Sequence, residues 1–171
     1  MRIYLIGYMG SGKSSAGKSL ANKLSYKFFD IDNIFETKFH ISIVDFYEKY
    51  GEPLFRKLEN QILKDTLKLE DSVIATGGGT PCNNKNIELI NSNGISFYLK
   101  LSAKSLTSRL LDSKKKRPII MNTSEDKLYE KIVKQLDERE SFYLKAHYII
   151  KGENLDLNKI VELVKKHKNF I

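Results

Sequence analysis

Cysteine occurs once in these 171 residues, at Cys82, so no internal disulfide can form and a cytoplasmic enzyme is expected. Long apolar runs are missing too. None approaches the roughly 18 residues of a membrane span. The apolar run after Arg2 is only Ile3 to Ile6 and feeds a glycine-rich loop, which reads as a strand and not a signal peptide. No Cys/His spacing suits zinc. No repeat, low-complexity tract or linker divides the chain, so one domain over 1–171 is expected. Acidic residues are the scarcer charge: 21 against 29 basic ones give a net charge of +8. Lysines are spread along the chain, with one local run at Lys114-Lys115-Lys116-Arg117, and no aromatic-basic platform accompanies them. The surplus reads as a lysine-rich surface, with no nucleic-acid partner.

Five strand-like runs, at 2–7, 26–30, 73–76, 95–101 and 147–151, alternate with helical patterns. That alternation predicts an α/β fold with a parallel sheet. Gly7-Tyr8-Met9-Gly10-Ser11-Gly12-Lys13-Ser14 joins the first strand to the first helix and fits G-x-x-x-x-G-K-[ST], the phosphate-binding loop. Its glycines let successive N–H groups turn inward as an anion cradle, and the helix N-terminus adds its dipole. Lys13 would reach the β- and γ-phosphates, and Ser14 would hold Mg²⁺. Gly10, Ser11, Gly12, Lys13, Ser14 and Ser15 are the expected nucleotide contacts.

The third strand ends Val73-Ile74-Ala75-Thr76-Gly77 and lacks the strand-end carboxylate that usually serves Mg²⁺ there. The nearest candidate is Asp30, in the Asp30-Ile31-Asp32 that closes the second strand. Asp32 would then accept a proton from a substrate hydroxyl. A cap by Asp32 on a helix starting near Asn33 is the competing assignment. Gly77-Gly78-Gly79 before Pro81 suits a small ligand lying against bare backbone more than a plain turn.

Between 31 and 71 two helical stripes stand out. Ile43, Phe46, Tyr47 and Tyr50 form one, which Gly51 breaks. Phe55, Leu58, Ile62, Thr66 and Leu69 form the other. They predict a two-helix lobe over the carboxyl ends of the strands, where open α/β sheets bind ligands. Arg56 and Glu59 are spaced as an exposed i,i+3 ion pair. Arg139 falls on the apolar stripe of Leu128, Ile132, Leu136 and Tyr143. A guanidinium there requires a carboxylate or phosphate partner, either internal or a ligand. The polar, basic stretch 112–124, broken by Pro118, reads as a mobile loop that brings Arg117 over a nucleotide.

Together these pieces resemble the shikimate kinases, small P-loop kinases of the nucleoside-monophosphate-kinase type. Asp30-Ile31-Asp32, Phe55-Arg56 with Glu59, Gly77-Gly78-Gly79, Arg117-Pro118, and Arg139 four residues before Tyr143 carry the likeness in order. The resemblance implies a three-layer α/β/α fold with a five-stranded parallel sheet of order 2-3-1-4-5. It also implies a substrate lobe at about 32–65 and a lid at about 111–124. It implies ATP-dependent phosphorylation of the 3-hydroxyl of shikimate by a monomer with one Mg²⁺. Arg56 and Arg139 would hold the substrate carboxylate, and Asp32 the ring hydroxyls. Gly78 and Gly79 would bind through N–H groups, Asp30 through Mg²⁺ and water, Arg117 over the phosphates and Arg109 beside adenine. Glu59 would support Arg56. Two departures stand out. Where the family has Pro, Leu and Tyr after Arg139, this chain has Glu140, Ser141, Phe142 and Tyr143. His147 replaces an Asp common near the last strand.

A kinase of another small hydroxy acid such as gluconate is the nearest alternative. A GTP-dependent switch would need Asn-Lys-x-Asp, and after Asn84-Lys85 the Asp position is Ile87.

Overall fold

The computed structural model describes residues 1–113 and 124–168. Arg117, Pro118 and Lys114–Lys116, with most of the expected lid, lie outside the described residues. Five strands, β1 (Arg2–Ile6), β2 (Lys27–Asp30), β3 (Ser72–Ala75), β4 (Ile95–Lys100) and β5 (Tyr148–Lys151), pair in the order β2-β3-β1-β4-β5. All four pairings are parallel, with Ile3 opposite Val73 on one side and Ile95 on the other. The fold and strand order are those predicted.

Side chains alternate across the central strand, so β1 feeds two cores. Ile3 and Leu5 pack with Leu20 of α1 (Lys13–Leu24) and Val164 of α8 (Leu157–Lys168). Tyr4 and Ile6 pack on the other face against the remaining helices. Covered on both sides, β1 has no exposed apolar side: Ile3, Tyr4, Leu5 and Ile6 are all fully buried. β1 lies between β3 and β4; the chain passes from β1 through α1 to β2 on the β3 side, and later crosses from β3 to β4 on the other. The loop after β1 thus sits where the strand order reverses, the place ligands use in open sheets.

Between β2 and β3 there are three helices, not the two predicted: α2 (Ile31–Phe39), α3 (Ile43–Tyr50) and α4 (Glu52–Asp65). Asp30 caps α2, accepting from the amides of Asp32 and Asn33. The competing assignment of Asp32 as the cap does not hold: the cap is Asp30, two residues earlier, and Asp32 lies inside the first turn. Ile31 and Phe35 bury the inner face of α2. Ser42 caps α3 through the Asp45 amide, and Gly51, at φ 79°, turns the chain into α4. The second predicted stripe also shortens: Thr66 sits in a single 3-10 turn and Leu69 lies beyond it. Aromatic rings hold this lobe together, with Phe35 at 5.0 Å from Phe46 and 4.8 Å from Phe55. Such pairs contribute about 0.5–1.5 kcal/mol each beyond their buried area.

After the glycine run the chain forms α5 (Asn86–Asn93), α6 (Ala103–Leu111) and α7 (Glu125–Tyr143). Leu128, Ile132 and Tyr143 of α7 are buried as the predicted stripe requires. Glu140-Ser141-Phe142 continues α7 without a break, and Glu140 pairs with Lys100 at 2.6 Å. His147 accepts from the Ser96 amide and donates its own amide to the Ser96 hydroxyl, tying the start of β5 to β4.

Candidate active site

The phosphate loop takes the conformation its glycines permit. Gly10 and Gly12 stand at φ 81° and 91°, where a side chain would be strained. Gly12 occupies the N-cap of α1 with no side-chain cap, leaving the first-turn amides open to an anion. Lys13, only 8% exposed, folds back over the loop and donates to the carbonyls of Gly7 and Tyr8, both at 2.9 Å. Ser14 follows, and its hydroxyl donates to Asp30 Oδ2 at 2.6 Å. The other oxygen of Asp30 is engaged as the α2 cap. The hydroxyl and the carboxylate thus meet beside the loop, a pair of hard oxygens of the kind Mg²⁺ selects. Among the described residues no cluster of three or more His, Cys, Asp or Glu is placed to hold a metal. A Mg²⁺ at this position would therefore complete its shell with water and phosphate oxygens.

The second half of the site is built around Arg56. It is not the exposed ion pair that its spacing suggests. Its side chain is 16% exposed and reaches Glu59 Oε2 at 2.8 Å and Glu52 Oε1 at 3.0 Å. Glu59 is 1% exposed, and its other oxygen accepts from Thr80 Oγ1 at 2.6 Å. The guanidinium also lies over the Phe55 and Tyr47 rings, at 5.1 and 5.8 Å. Glu52, one turn before Arg56, was legible at i,i−4. Thr80, 21 positions from Glu59, was not.

The glycine run is required by this packing. A Cβ on Gly79 would stand 2.6 Å from Arg56 Nη2, and one on Gly77 would stand 2.7 Å from Asp32 Oδ1. Gly78 backs onto the phosphate loop, 3.2 Å from the Met9 amide by the same measure. Bare backbone therefore lets Asp32, Arg56 and the loop converge on one point.

Arg139 comes to this point from α7. Its guanidinium lies 5.6 Å from the Tyr8 ring, and no described carboxylate is within ion-pair distance of it. Of the two partners open from sequence, an internal carboxylate and a ligand, the structure gives it no internal one among the described residues. Tyr8 donates to Gln135 Oε1 at 2.7 Å, joining the phosphate loop to α7. Burial pushes the Tyr8 phenol up to about 12 despite the nearby Arg139, so it remains a donor at neutral pH. Burial likewise pushes the Cys82 thiol up to about 11, against the pull of Arg139 and Arg56, which removes it as a thiolate nucleophile. Arg109 sits at the opposite end, donating to Ser11 O at 3.5 Å and Gly152 O at 3.2 Å.

Lys13, Ser14, Ser15, Asp30, Asp32, Arg56, Gly78, Gly79, Arg109 and Arg139 all line one open cleft of about 1070 Å³. That volume accommodates a nucleotide and a small second ligand together. Loop, lysine and hydroxyl–carboxylate pair stand at one end, and two arginines with a carboxylate at the other. Fold and site together define a P-loop kinase.

The shikimate kinase family model matches residues 9–168. The chain is 40% identical over 162 residues to the shikimate kinase of Bacteroides fragilis, spanning 95% of this chain and 90% of that one. It superposes on the shikimate kinase of Bacteroides thetaiotaomicron with a TM-score of 0.93 at 35% identity, covering 96% of this chain and 98% of the other. The Acinetobacter baumannii shikimate kinase, solved in complex with shikimate, superposes with a TM-score of 0.85 at 31% identity, covering 98% and 94%. The chain belongs to the shikimate kinase family, the ATP-using kinases of the shikimate pathway to aromatic amino acids.

Proposed function

We propose that the enzyme transfers the γ-phosphoryl group of ATP in line to the 3-hydroxyl of shikimate, giving ADP and 3-phosphoshikimate. The observation that carries this reading is the convergence of Asp32, Arg56 and Arg139 at the far end of a cleft that begins at the phosphate loop. Two guanidinium groups suit a carboxylate, and a carboxylate suits ring hydroxyls. Arg56 and Arg139 hold the substrate carboxylate, and the Gly78 and Gly79 amides donate to the ligand. Asp32 orients the reacting hydroxyl and takes its proton. Lys13 exchanges its own loop carbonyls for the β- and γ-phosphate oxygens. Gly10, Ser11, Gly12, Ser14 and Ser15 hold the phosphate chain. Arg109, beside Ser11 and Gly152, flanks the adenine.

The Ser14–Asp30 pair is the site for one Mg²⁺ per subunit. When bound there, the ion neutralises charge on the β- and γ-phosphates. Catalysis is otherwise positioning and charge stabilisation, because phosphoryl transfer needs little covalent help. The substrate lobe spans about 32–65 and the lid about 111–124. Lid closure brings Arg117 over the phosphates and excludes water. The enzyme works as a monomer in the cytoplasm, where both substrates are free metabolites.

Coupled ADP release with ATP and Mg²⁺ tests the reading, with shikimate compared against quinate, gluconate and a nucleoside monophosphate. Release that depends on shikimate and on Mg²⁺ is expected. Release with gluconate but not shikimate would reassign the acceptor and leave the phosphate loop standing.

A further inference from the structure

The phenol of Tyr143 has no role in the chemistry above, yet it is buried beneath the glycine run. Tyr143 is 0% exposed in the last turn of α7, its ring 5.1 Å from that of Tyr98. Its hydroxyl donates to the Gly78 carbonyl. The Arg139 guanidinium also interacts with this hydroxyl. Donor and acceptor capacity fixes the direction. A guanidinium only donates, a carbonyl only accepts, and a phenol has one proton. The proton therefore goes to Gly78, and a lone pair is left for Arg139.

The Gly78 carbonyl shares its peptide plane with the Gly79 N–H. The described chain has no cis peptide, so the two groups point in opposite directions. Holding the carbonyl against Tyr143 holds that N–H on the other side. The adjoining planes are pinned in the same way. Gly77 O accepts from the Thr80 amide at 3.2 Å, and Gly79 O accepts from Asn83 Nδ2 at 2.8 Å. Every carbonyl of the run is thus engaged. Among the described residues, the Gly78 and Gly79 amides donate to no protein acceptor.

We propose, building on the reading of Gly78, Gly79 and Arg139 as substrate-binding groups, that Tyr143 is a positioning residue for shikimate. Its hydroxyl locks the Gly78–Gly79 peptide with the Gly79 N–H facing the cleft, and it couples that donor to Arg139. Linked hydrogen bonds polarise one another, so the guanidinium charge strengthens the phenol's donation and, through the peptide, the Gly79 N–H. Without the hydroxyl the peptide plane is free to rotate, and its donor is no longer ready when substrate arrives.

Tyr143→Phe removes the hydroxyl and keeps the ring. The shikimate KM is expected to rise about tenfold, the worth of one oriented hydrogen bond. The ATP KM and kcat are expected to stay within about twofold, because the phosphate loop does not touch this hydroxyl. An unchanged shikimate KM overturns the inference. So does a parallel rise in both KM values with a lowered melting temperature, the signature of a merely structural residue. If the variant does not fold, glycine-labelled wild type serves instead. Saturating shikimate should move the Gly79 amide proton downfield, and a stationary signal refutes the role. Wild-type ADP release separates the two levels. Absence of shikimate-dependent release overturns the function itself, whereas normal release that Tyr143→Phe leaves untouched overturns only the part given to Tyr143.

Discussion

Replacing Gly79 with alanine adds one methyl group where the cleft has least room for it. Gly79 stands at φ −93°, an ordinary conformation, so the substitution carries no backbone strain. The cost is steric. The new Cβ would lie 2.6 Å from Arg56 Nη2 and 2.8 Å from Nη1, against an optimal separation of about 3.5–4.0 Å. The guanidinium must retreat by about 1 Å, and it is not free to do so. It is tied to Glu59 at 2.8 Å and Glu52 at 3.0 Å. A retreat of that size takes the Glu59 contact past hydrogen-bonding range. Overpacking of this kind costs about 1–3 kcal/mol. In a chain of this size that lowers the melting temperature by roughly 2–12 °C. If Arg56 holds the substrate carboxylate as proposed, the same displacement withdraws it, and the shikimate KM should rise roughly 10–100-fold. The ATP KM should change by less than about threefold, since the phosphate loop is untouched. Steady-state ADP release, with each substrate varied at saturation of the other, reads both constants, and a thermal melt reads the stability. An unchanged shikimate KM would refute a substrate role for Arg56. A rise in both KM values together would refute the claim that the glycine run acts on one half of the cleft alone.

Three further outcomes are expected. Asp32→Asn should lower kcat roughly 10²–10⁴-fold while the melting temperature holds, and unchanged turnover would remove Asp32 as base and orienter. Arg139→Ala should abolish shikimate binding and spare ATP binding in equilibrium titrations, and the reverse pattern would exchange the two ends of the cleft. His147 has its pKa lowered, first by burial and then by the charge of His167, so folding favours the neutral imidazole. The stability it contributes is complete above the ordinary imidazole value near 6.5 and is lost as pH falls through the lowered folded value. Melts of wild type and His147→Asn should diverge only across that acid limb, and parallel curves would remove His147 from the transition.

The strands were legible to within about a residue because each is a short apolar run closed by a turn signal. Gly7 shows where the reading overran. It continues the apolar pattern, but φ 141° takes it out of β1. Helix α2, raised only as the competing assignment for Asp32, is absent from the predicted lobe for a different reason. Its stripe, Ile31 and Phe35 with Phe39 one turn on, lies under two carboxylates that invite a chemical reading. One of those carboxylates, Asp30, caps the helix and also accepts from Ser14, so capping and chemistry were not alternatives for it. Arg56 illustrates the limit of local spacing. Its i,i+3 neighbour was visible, but its burial comes from Phe55, Tyr47 and the bare Cα of Gly79, and only the fold assembles those. The bonds from Thr80 to Glu59 and from Tyr143 to Gly78 join residues 21 and 65 positions apart, and no periodicity records such pairs.

The two arginines share a side chain and differ in surroundings, and that difference divides their work. Arg56 lies between two carboxylates, so its charge is already met inside the protein. Arg139 faces the Tyr8 ring and has no described carboxylate within ion-pair distance. On the proposed reading, a substrate carboxylate entering the cleft would therefore be drawn mainly by Arg139, while Arg56 would offer a fixed fork of donors rather than unmet charge. The same asymmetry governs stability. Loss of Arg139 strands no described carboxylate. Loss of Arg56 leaves Glu59, 1% exposed, with only the Thr80 hydroxyl as a side-chain partner among the described residues. Breaking a buried pair in this way costs about 3–5 kcal/mol. Arg56→Ala should accordingly lose both stability and affinity, and adding Glu59→Gln should restore stability alone, because an amide needs no counter-charge. A double variant as unstable as Arg56→Ala would show that Glu59 is not the stranded charge. One that regained shikimate affinity would show that Arg56 serves only to neutralise Glu59 and does not touch the substrate.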